Sequence, residues 1–98
     1  LPHFLTNVSN AYAVYVIDDF MEPRFYIGEI CYINVGKPVR KGDYVVVRQN
    51  DTAFICQFLE KTINTVKLTK HNLNDSFELL QDDISRIDVI VAIVSQFS

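Results

Sequence analysis

The chain has 98 residues, of which 49% are hydrophobic and 21% are charged, and its net charge is −3 at pH 7. That length suits one domain with a single hydrophobic core. A phosphate-binding surface needs clustered Lys and Arg, whereas the basic residues here are scattered, so the composition argues against a free-standing nucleic-acid-binding domain. No apolar run is long enough to cross a bilayer and no signal-peptide pattern is visible, which predicts a soluble, cytoplasmic chain without membrane contacts.

In chain order, residues 1–10 show little periodicity and are expected to be the end of a linker, followed by one domain over residues 11–98. Runs rich in Val, Ile, Tyr and Phe, separated by turn signals, predict strands at residues 11–17, 29–35, 43–49, 52–60, 65–70 and 87–97. Residues 22–28 have room for one helical turn, and residues 79–85 are ambiguous. We therefore predict a mostly β domain, built from strongly bent antiparallel sheets or a partly closed barrel, with no long helix.

Two cysteines, Cys31 and Cys56, lie among apolar or aromatic neighbours in predicted strands. This setting favours buried thiols that pack as small hydrophobic groups over a disulfide or a metal site. The two histidines, His3 and His71, share no ligand spacing with the cysteines and are predicted to be surface or capping residues. No metal or cofactor is therefore expected.

The stretch VIDDFMEPRF at residues 16–25 ends a strand-like run and then breaks at a proline, as a loop that presents one residue for chemistry would. Later motifs follow in order, namely Gly28 with Glu29, Pro38, Gly42 with Asp43, and YVVV at residues 44–47. This arrangement resembles the C-terminal domain of LexA and phage repressors, the self-cleaving serine-lysine peptidases. In that family Gly-Asp-Ser-Met-x-Pro opens the series, and Asp19, Met21 and Pro23 match it here. The resemblance covers roughly residues 11–96 and implies the LexA-like C-terminal fold.

The same resemblance places the family's nucleophilic serine on Phe20 and its lysine base on Gln57. Such a dyad needs a hydroxyl group that attacks and an amine that accepts its proton, and neither phenylalanine nor glutamine supplies one. Asp18 also replaces the glycine that precedes the motif's aspartate. The resemblance thus implies a pseudo-peptidase whose vestigial cleft is outlined by Asp19, Met21 and Pro23. Phe20 is expected to fill that cleft as a buried packing residue.

In the resembled family this domain joins two repressor chains so that their helix-turn-helix domains grip a two-fold operator. The resemblance implies an oligomerisation and regulatory domain of a phage-type transcriptional repressor in a bacterial or phage-infected cell. DNA would be bound only through an N-terminal domain outside this sequence, and induction would need another route, such as an antirepressor protein. Two alternatives stay open: an active self-cleaving peptidase that uses other residues, and a β module that binds a peptide in the vestigial cleft.

The last predicted strand, residues 87–97, is apolar on both of its alternating rows. Strict alternation places Ile90, Ala92 and Val94 together in one row. A strand that is apolar on both sides is either covered on both sides by its own domain or part of an interface. Because the C-terminal strand region of the resembled family lies at the dimer interface, we predict that these three residues join two copies of the chain.

Overall fold

The computed structural model describes residues 11–72 and 75–95, and within these ranges the chain forms one seven-stranded antiparallel sheet. The strands are β1 (Ala11–Tyr15), β2 (Ile30–Asn34), β3 (Tyr44–Gln49), β4 (Thr52–Lys61), β5 (Thr65–Thr69), β6 (Phe77–Leu80) and β7 (Ile84–Val94). The mostly β prediction is confirmed. The linker predicted at residues 1–10, His3, and residues 96–97 of the last predicted strand lie outside the described residues.

The strand order is β1-β2-β7-β3-β4-β5-β6, which leaves β1 and β6 as the two edges. The sheet is not closed into a barrel. In the described part of the chain the only helical element is one 3-10 turn, Gln81–Asp83. Residues 22–28 form consecutive turns, in which the Arg24 and Phe25 N–H groups both donate to the Met21 carbonyl, at 2.9 and 3.1 Å.

Strand β3 separates two hydrophobic cores, because its alternating side chains point to opposite faces of the sheet. On one face lies the hairpin core, formed by Val45, Val47, Cys56, Phe58, Val66, Leu68 and Val89. On the other face lies the loop core, formed by Val16, Met21, Phe25, Cys31, Ile33 and Val46. Because both faces are covered, the central strand is a continuous run of valines rather than an alternating one.

Each core contains one of the two cysteines. Cys31 and Cys56 are free thiols and are buried, as the sequence predicted. Burial away from water is the main cause that raises the pKa of each thiol to about 12. Both are therefore neutral packing groups rather than reactive thiolates.

A bulge in β7 overturns the predicted grouping of its side chains. Tyr32 of β2 lies opposite Ala92, whereas Ile33 lies opposite Ile90, so β7 contains one extra residue between these pairs. The extra residue reverses the alternation beyond it. Ile90 packs against the loop core, while Ala92 and Val94 face the opposite side of the sheet. The prediction that Ile90 shares a face with Ala92 and Val94 is therefore wrong.

One charged group is buried beneath the edge of the sheet. Asp88 of β7 accepts a hydrogen bond from the Tyr12 hydroxyl at 2.7 Å and forms a salt bridge with Arg86 at 2.9 Å. Burial, followed by the hydrogen bond to Asp88, raises the pKa of Tyr12 to about 12. The carboxylate thus ties the edge strand β1 to β7 across the intervening strand β2, and its two partners offset the cost of its burial.

No helix within residues 11–72 and 75–95 combines the length and the hydropathy that crossing a bilayer requires.

Candidate functional site

The loop between β1 and β2 is fixed at both of its ends. The Val16 N–H group donates to the Glu29 carbonyl and the Gly28 N–H group donates to the Val16 carbonyl, each at 2.9 Å. The two ends of the loop therefore run side by side. Gly28 has a φ of 92°, a backbone conformation that disfavours any side chain. Within the loop, the buried side chains of Met21 and Phe25 anchor it to the loop core. Packing and backbone bonds therefore hold the two ends of the loop and its buried side.

Backbone hydrogen bonds attach the centre of this loop to the segment that follows β5. The Asp18 carboxylate accepts the Phe20 N–H at 3.2 Å, a local turn for which a short acidic side chain is suited. The Phe20 carbonyl accepts the Asn72 N–H at 2.9 Å, and the Asn72 side-chain amide donates to the Asp19 carbonyl. The Asp18 side chain therefore stabilises the turn that contains Phe20.

The Phe20 ring does not fill a cleft. It is 41% exposed, so the prediction of a buried packing residue is wrong. The Lys70 ammonium group lies 4.6 Å from the centroid of the Phe20 ring and 4.9 Å from the centroid of the Phe54 ring. The ring thus contacts a cation at the surface, where such an interaction contributes roughly 0.5–1 kcal/mol.

Gln57 lies on β4 between two residues of the hairpin core, so its side chain projects to the opposite face, toward the loop core. Its side-chain amide donates a hydrogen bond to the Gly42 carbonyl at 3.0 Å. The residue opposite Gln57 on β5 is Thr69, which directly precedes Lys70. The end of β5 therefore brings Phe20 and Gln57, the positions predicted for the family's dyad, into the same part of the molecule.

The residues predicted to outline the vestigial cleft are separated by the structure. Met21 is buried in the loop core, whereas Asp19 and Pro23 are exposed, and the Glu22–Pro23 peptide bond is cis. An apolar groove does lie nearby, between the end of β1 and the start of β4. Its lining includes Tyr15, Ile17, Met21, Val46 and Phe54. Of the three predicted residues, only Met21 reaches this groove, where it lies beside Val46.

Sequence reasoning missed Lys70, the basic residue that contacts the Phe20 ring. A register for the β4–β5 hairpin would have found it, because that register sets Thr69 opposite Gln57. The register cannot be counted from the turn alone, since Leu59 is an extra residue between the pairs formed by Phe58 and Glu60. The position of Lys70 therefore depends on a bulge that has no signature in the sequence.

A second group of aromatic and basic side chains lies on the same side of the sheet. The exposed His71 ring accepts or donates a hydrogen bond at 2.8 Å with the Tyr44 hydroxyl. The Arg24 guanidinium group lies 5.1 Å from the Phe25 ring centroid and 5.2 Å from that of Tyr44. These contacts join the loop to β3, and His71 is a surface residue as predicted.

Comparison with known proteins identifies the class to which this architecture belongs. Residues 1–91 match the family described as Peptidase S24-like, and the chain belongs to that family. Among curated proteins, Repressor protein C of Rhizobium phage 16-3 is 33% identical over 99 residues, an alignment that covers 92% of this chain and 38% of the phage protein. The chain thus spans little more than a third of that relative's length. The family resemblance drawn from the sequence is confirmed.

Proposed function

We propose that this domain is the C-terminal oligomerisation and regulatory domain of a phage-type transcriptional repressor, and that it does not cleave itself. Membership of the Peptidase S24-like family and the similarity to a protein named as a phage repressor support the first part. The observation that carries the second part is the pair of residues at the dyad positions, Phe20 and Gln57.

Neither residue can perform the chemistry of a serine-lysine dyad. Phe20 has no atom that could attack a peptide carbonyl, and the Gln57 side chain is an amide whose nitrogen already donates a hydrogen bond to Gly42. Lys70 is the amine nearest to the Phe20 ring in the contacts described, but its ammonium group lies against two phenyl rings rather than against a hydroxyl group. What persists is the frame of the site without its nucleophile.

Assembly would use an apolar surface on the outer side of β1, β2 and β7, opposite the loop core. The strand registers align Tyr15, Ile30 and Val94 in one row and Ala13, Tyr32 and Ala92 in the next. We call these six residues the outer face. It contains no charged side chain, and Tyr15 and Val94 are 59% and 40% exposed. An uncharged apolar surface of this kind is typical of a protein interface, so a second copy is proposed to cover it.

The proposed interface omits one of the three residues that alternation predicted and adds four residues from β1 and β2. Ala92 and Val94 belong to the outer face, whereas Ile90 supports the sheet from the loop core beneath. The backbone pairing of β7 also favours this region as an interface. Pairing between β3 and β7 ends at Val89, so Ile90 to Val94 pair only with β2 among the described strands. The side chains of Ala92 and Val94 and one backbone edge of this segment are thus proposed to meet a partner.

In the proposed role the domain acts in the cytoplasm as a homodimer or larger assembly. DNA is contacted only by an N-terminal domain outside this sequence, and joining two such domains raises the effective concentration of the second at a two-fold operator. A repressor that cannot cleave itself needs a different inducing event, for which a protein antirepressor is the proposed partner.

The experiment that tests this assembly is sedimentation of the full-length protein with and without Val94→Glu. Two-fold contact makes each substitution act twice, so like charges meet across the axis and the assembly becomes smaller. Ile63→Glu is the matched control, because Ile63 is 91% exposed at the β4–β5 turn, away from the outer face. A wild type that is monomeric at tens of micromolar, or a Val94→Glu variant of unchanged mass, would contradict the proposal.

A second candidate function, peptide binding, is favoured by the apolar groove beside Tyr15, Ile17 and Phe54. An extended peptide could lie there and place its apolar side chains against these residues. Fluorescence polarisation with a labelled peptide of residues 1–10 tests this candidate, and Ile17→Asp is expected to abolish any binding. Unchanged polarisation at high micromolar protein would remove it from consideration.

A further inference from the structure

The two edges of the sheet are protected to very different degrees. Edge strand β6 is four residues long and contains Glu78, and it is followed by Asp82 and Asp83. Edge strand β1 and the two residues after it read AYAVYVI, with no charge and no proline. Soluble proteins usually block an edge with charges, prolines or bulges, because an open edge pairs with other chains. The absence of these devices from β1 suggests that its edge is used.

The backbone of β1 presents hydrogen-bonding groups on its free side. Val16 exchanges bonds with Gly28 and Glu29, which directs the N–H and C=O groups of even-numbered residues toward β2. Because consecutive residues of a strand point their backbone groups in opposite directions, those of Ala13, Tyr15 and Ile17 point away from β2. No described strand pairs with that side of β1.

The side chains of the same residues show a size order along the strand. The outward-facing positions are small in the first half, at Ala11 and Ala13, and large in the second half, at Tyr15 and Ile17. Tyr15 is 59% exposed and Ile17 is 80% exposed. A strand that is small at one end and large at the other fits an antiparallel copy of itself, since each large side chain then lies opposite a small one.

We propose that β1 is a self-association surface at which two copies of this chain pair antiparallel about a two-fold axis at Val14. In this register Ala13 lies opposite Tyr15 of the partner subunit, and Ala11 lies opposite Ile17 of the partner subunit. Both are pairs of odd-numbered residues, whose free N–H and C=O groups face the new strand. The two sheets become one continuous sheet across the axis.

Neighbouring registers fit less well. An axis at Ala13 places two alanines opposite each other and leaves Ile17 without a described partner, whereas an axis at Tyr15 places two tyrosines opposite each other. Among the described residues, only the axis at Val14 sets both large side chains against small ones. The identical strand of a second copy is therefore the occupant that the size order favours, and the lack of charge removes repulsion between the two copies.

This surface uses the backbone edge of β1, whereas the outer face uses side chains of β1, β2 and β7. Ala13 and Tyr15 belong to both surfaces. A protomer with two different isologous surfaces assembles beyond the dimer, either into a closed tetramer or into an open array. The outer face would form one dimer, and β1 would join two such dimers. Loss of the backbone pairing at β1 leaves an uncharged outer face, and Val94 lies on β7 away from the β1 edge, so the two proposals can be separated.

A cysteine at position 14 tests the register directly in the full-length protein. At an axis through Val14 the two Cα atoms are about 4.5 Å apart, within reach of a disulfide. Val14 packs against the loop core, so contact through the outer face would not bring two such residues together. Val14→Cys is expected to form a covalent dimer on mild oxidation, whereas the matched control Tyr12→Cys, which faces Val16 of the partner subunit, is not. No covalent dimer, or equal amounts from both variants, would overturn the proposal.

A proline at position 13 tests the edge by itself. Ala13→Pro removes an N–H group that points to the free side and leaves the β2 ladder intact, a position where edge strands tolerate proline. The wild type is expected to sediment as a tetramer or larger assembly, Ala13→Pro as a dimer, and Ala13→Pro with Val94→Glu as a monomer. Ala13→Ser is the control and should match the wild type. An Ala13→Pro assembly equal in mass to the wild type would overturn the proposal. A monomeric wild type whose Ala13 and Tyr15 amides resist hydrogen exchange would also overturn it, because the edge would then be covered from within the chain.

Discussion

The two cores of this domain differ in how much irregular structure they contain. The hairpin core is built from alternating side chains of four strands, and all of its buried members lie on those strands. The loop core is completed by the 16–29 loop, lies beside Phe20 and Gln57, and is closed near its edge by the buried Asp88. The contrast shows that Met21 and Phe25, and not Phe20 or Gln57, anchor the 16–29 loop to the core. If the proposed loss of chemistry is right, it occurred at positions that do not hold the fold together.

Phe25 of the 16–29 loop provides the sharpest test of that contrast. Phe25 is fully buried in the loop core, and Phe25→Ala is expected to lower the free energy of unfolding by about 3–5 kcal/mol, because it removes a large ring and leaves a cavity. Urea denaturation followed by circular dichroism measures the change. A loss below about 1 kcal/mol would show that the loop is not part of the core.

Alkaline pH should weaken both cores through their thiols. Unfolded cysteines ionise from about pH 9, whereas Cys31 and Cys56 have native pKa values of about 12, so the native state keeps protons that the unfolded state loses. Stability is therefore full below about pH 9 and falls between about pH 9 and 12, by up to about 1.4 kcal/mol per pH unit for each thiol. Urea midpoints across this range measure the slope. Cys31→Ala with Cys56→Ala should reduce it, and an unchanged slope would contradict the explanation.

Removal of the buried Asp88 carboxylate is expected to lower stability by a smaller amount, through contacts on the loop-core side of the sheet. Asp88→Ala leaves the Tyr12 hydroxyl without its acceptor, which typically costs about 1–3 kcal/mol, and Arg86 can turn to solvent. Thermal unfolding measures the loss. Tyr12→Phe is the matched control and should lose less, because the carboxylate keeps Arg86. Equal stability of Asp88→Ala and the wild type would mean that the network does not hold β1 in place.

The smallest effect is expected at Phe20 itself. Because its ring is partly exposed and contacts a cation, Phe20→Ala should lower the free energy of unfolding by about 1 kcal/mol or less. Lys70→Met should cause a similar loss, and a double-mutant cycle should give a coupling of roughly 0.5–1 kcal/mol. A loss as large as that of Phe25→Ala would place Phe20 in the core after all.

The sequence predicted the regular parts of this domain and not the places where regularity breaks. Six of the seven strands were expected within about three residues of their observed bounds, because runs such as YVVV are apolar and rich in β-branched residues. Strand β6, with the sequence FELL, was missed because its residues suit a helix equally well. Ile90 was assigned to the wrong face, and Lys70 was overlooked, because each depends on a bulge that shifts a register.

The measurement that tests the central claim most directly is mass spectrometry of the unmodified full-length protein after long incubation at mildly alkaline pH, where active members of the serine-lysine family would cleave themselves. We expect a single intact mass at every time point, because Phe20 and Gln57 supply neither a nucleophile nor a base. A specific cleavage product that accumulates with first-order kinetics, independent of protein concentration, would contradict the claim and show that other residues of this chain carry the chemistry.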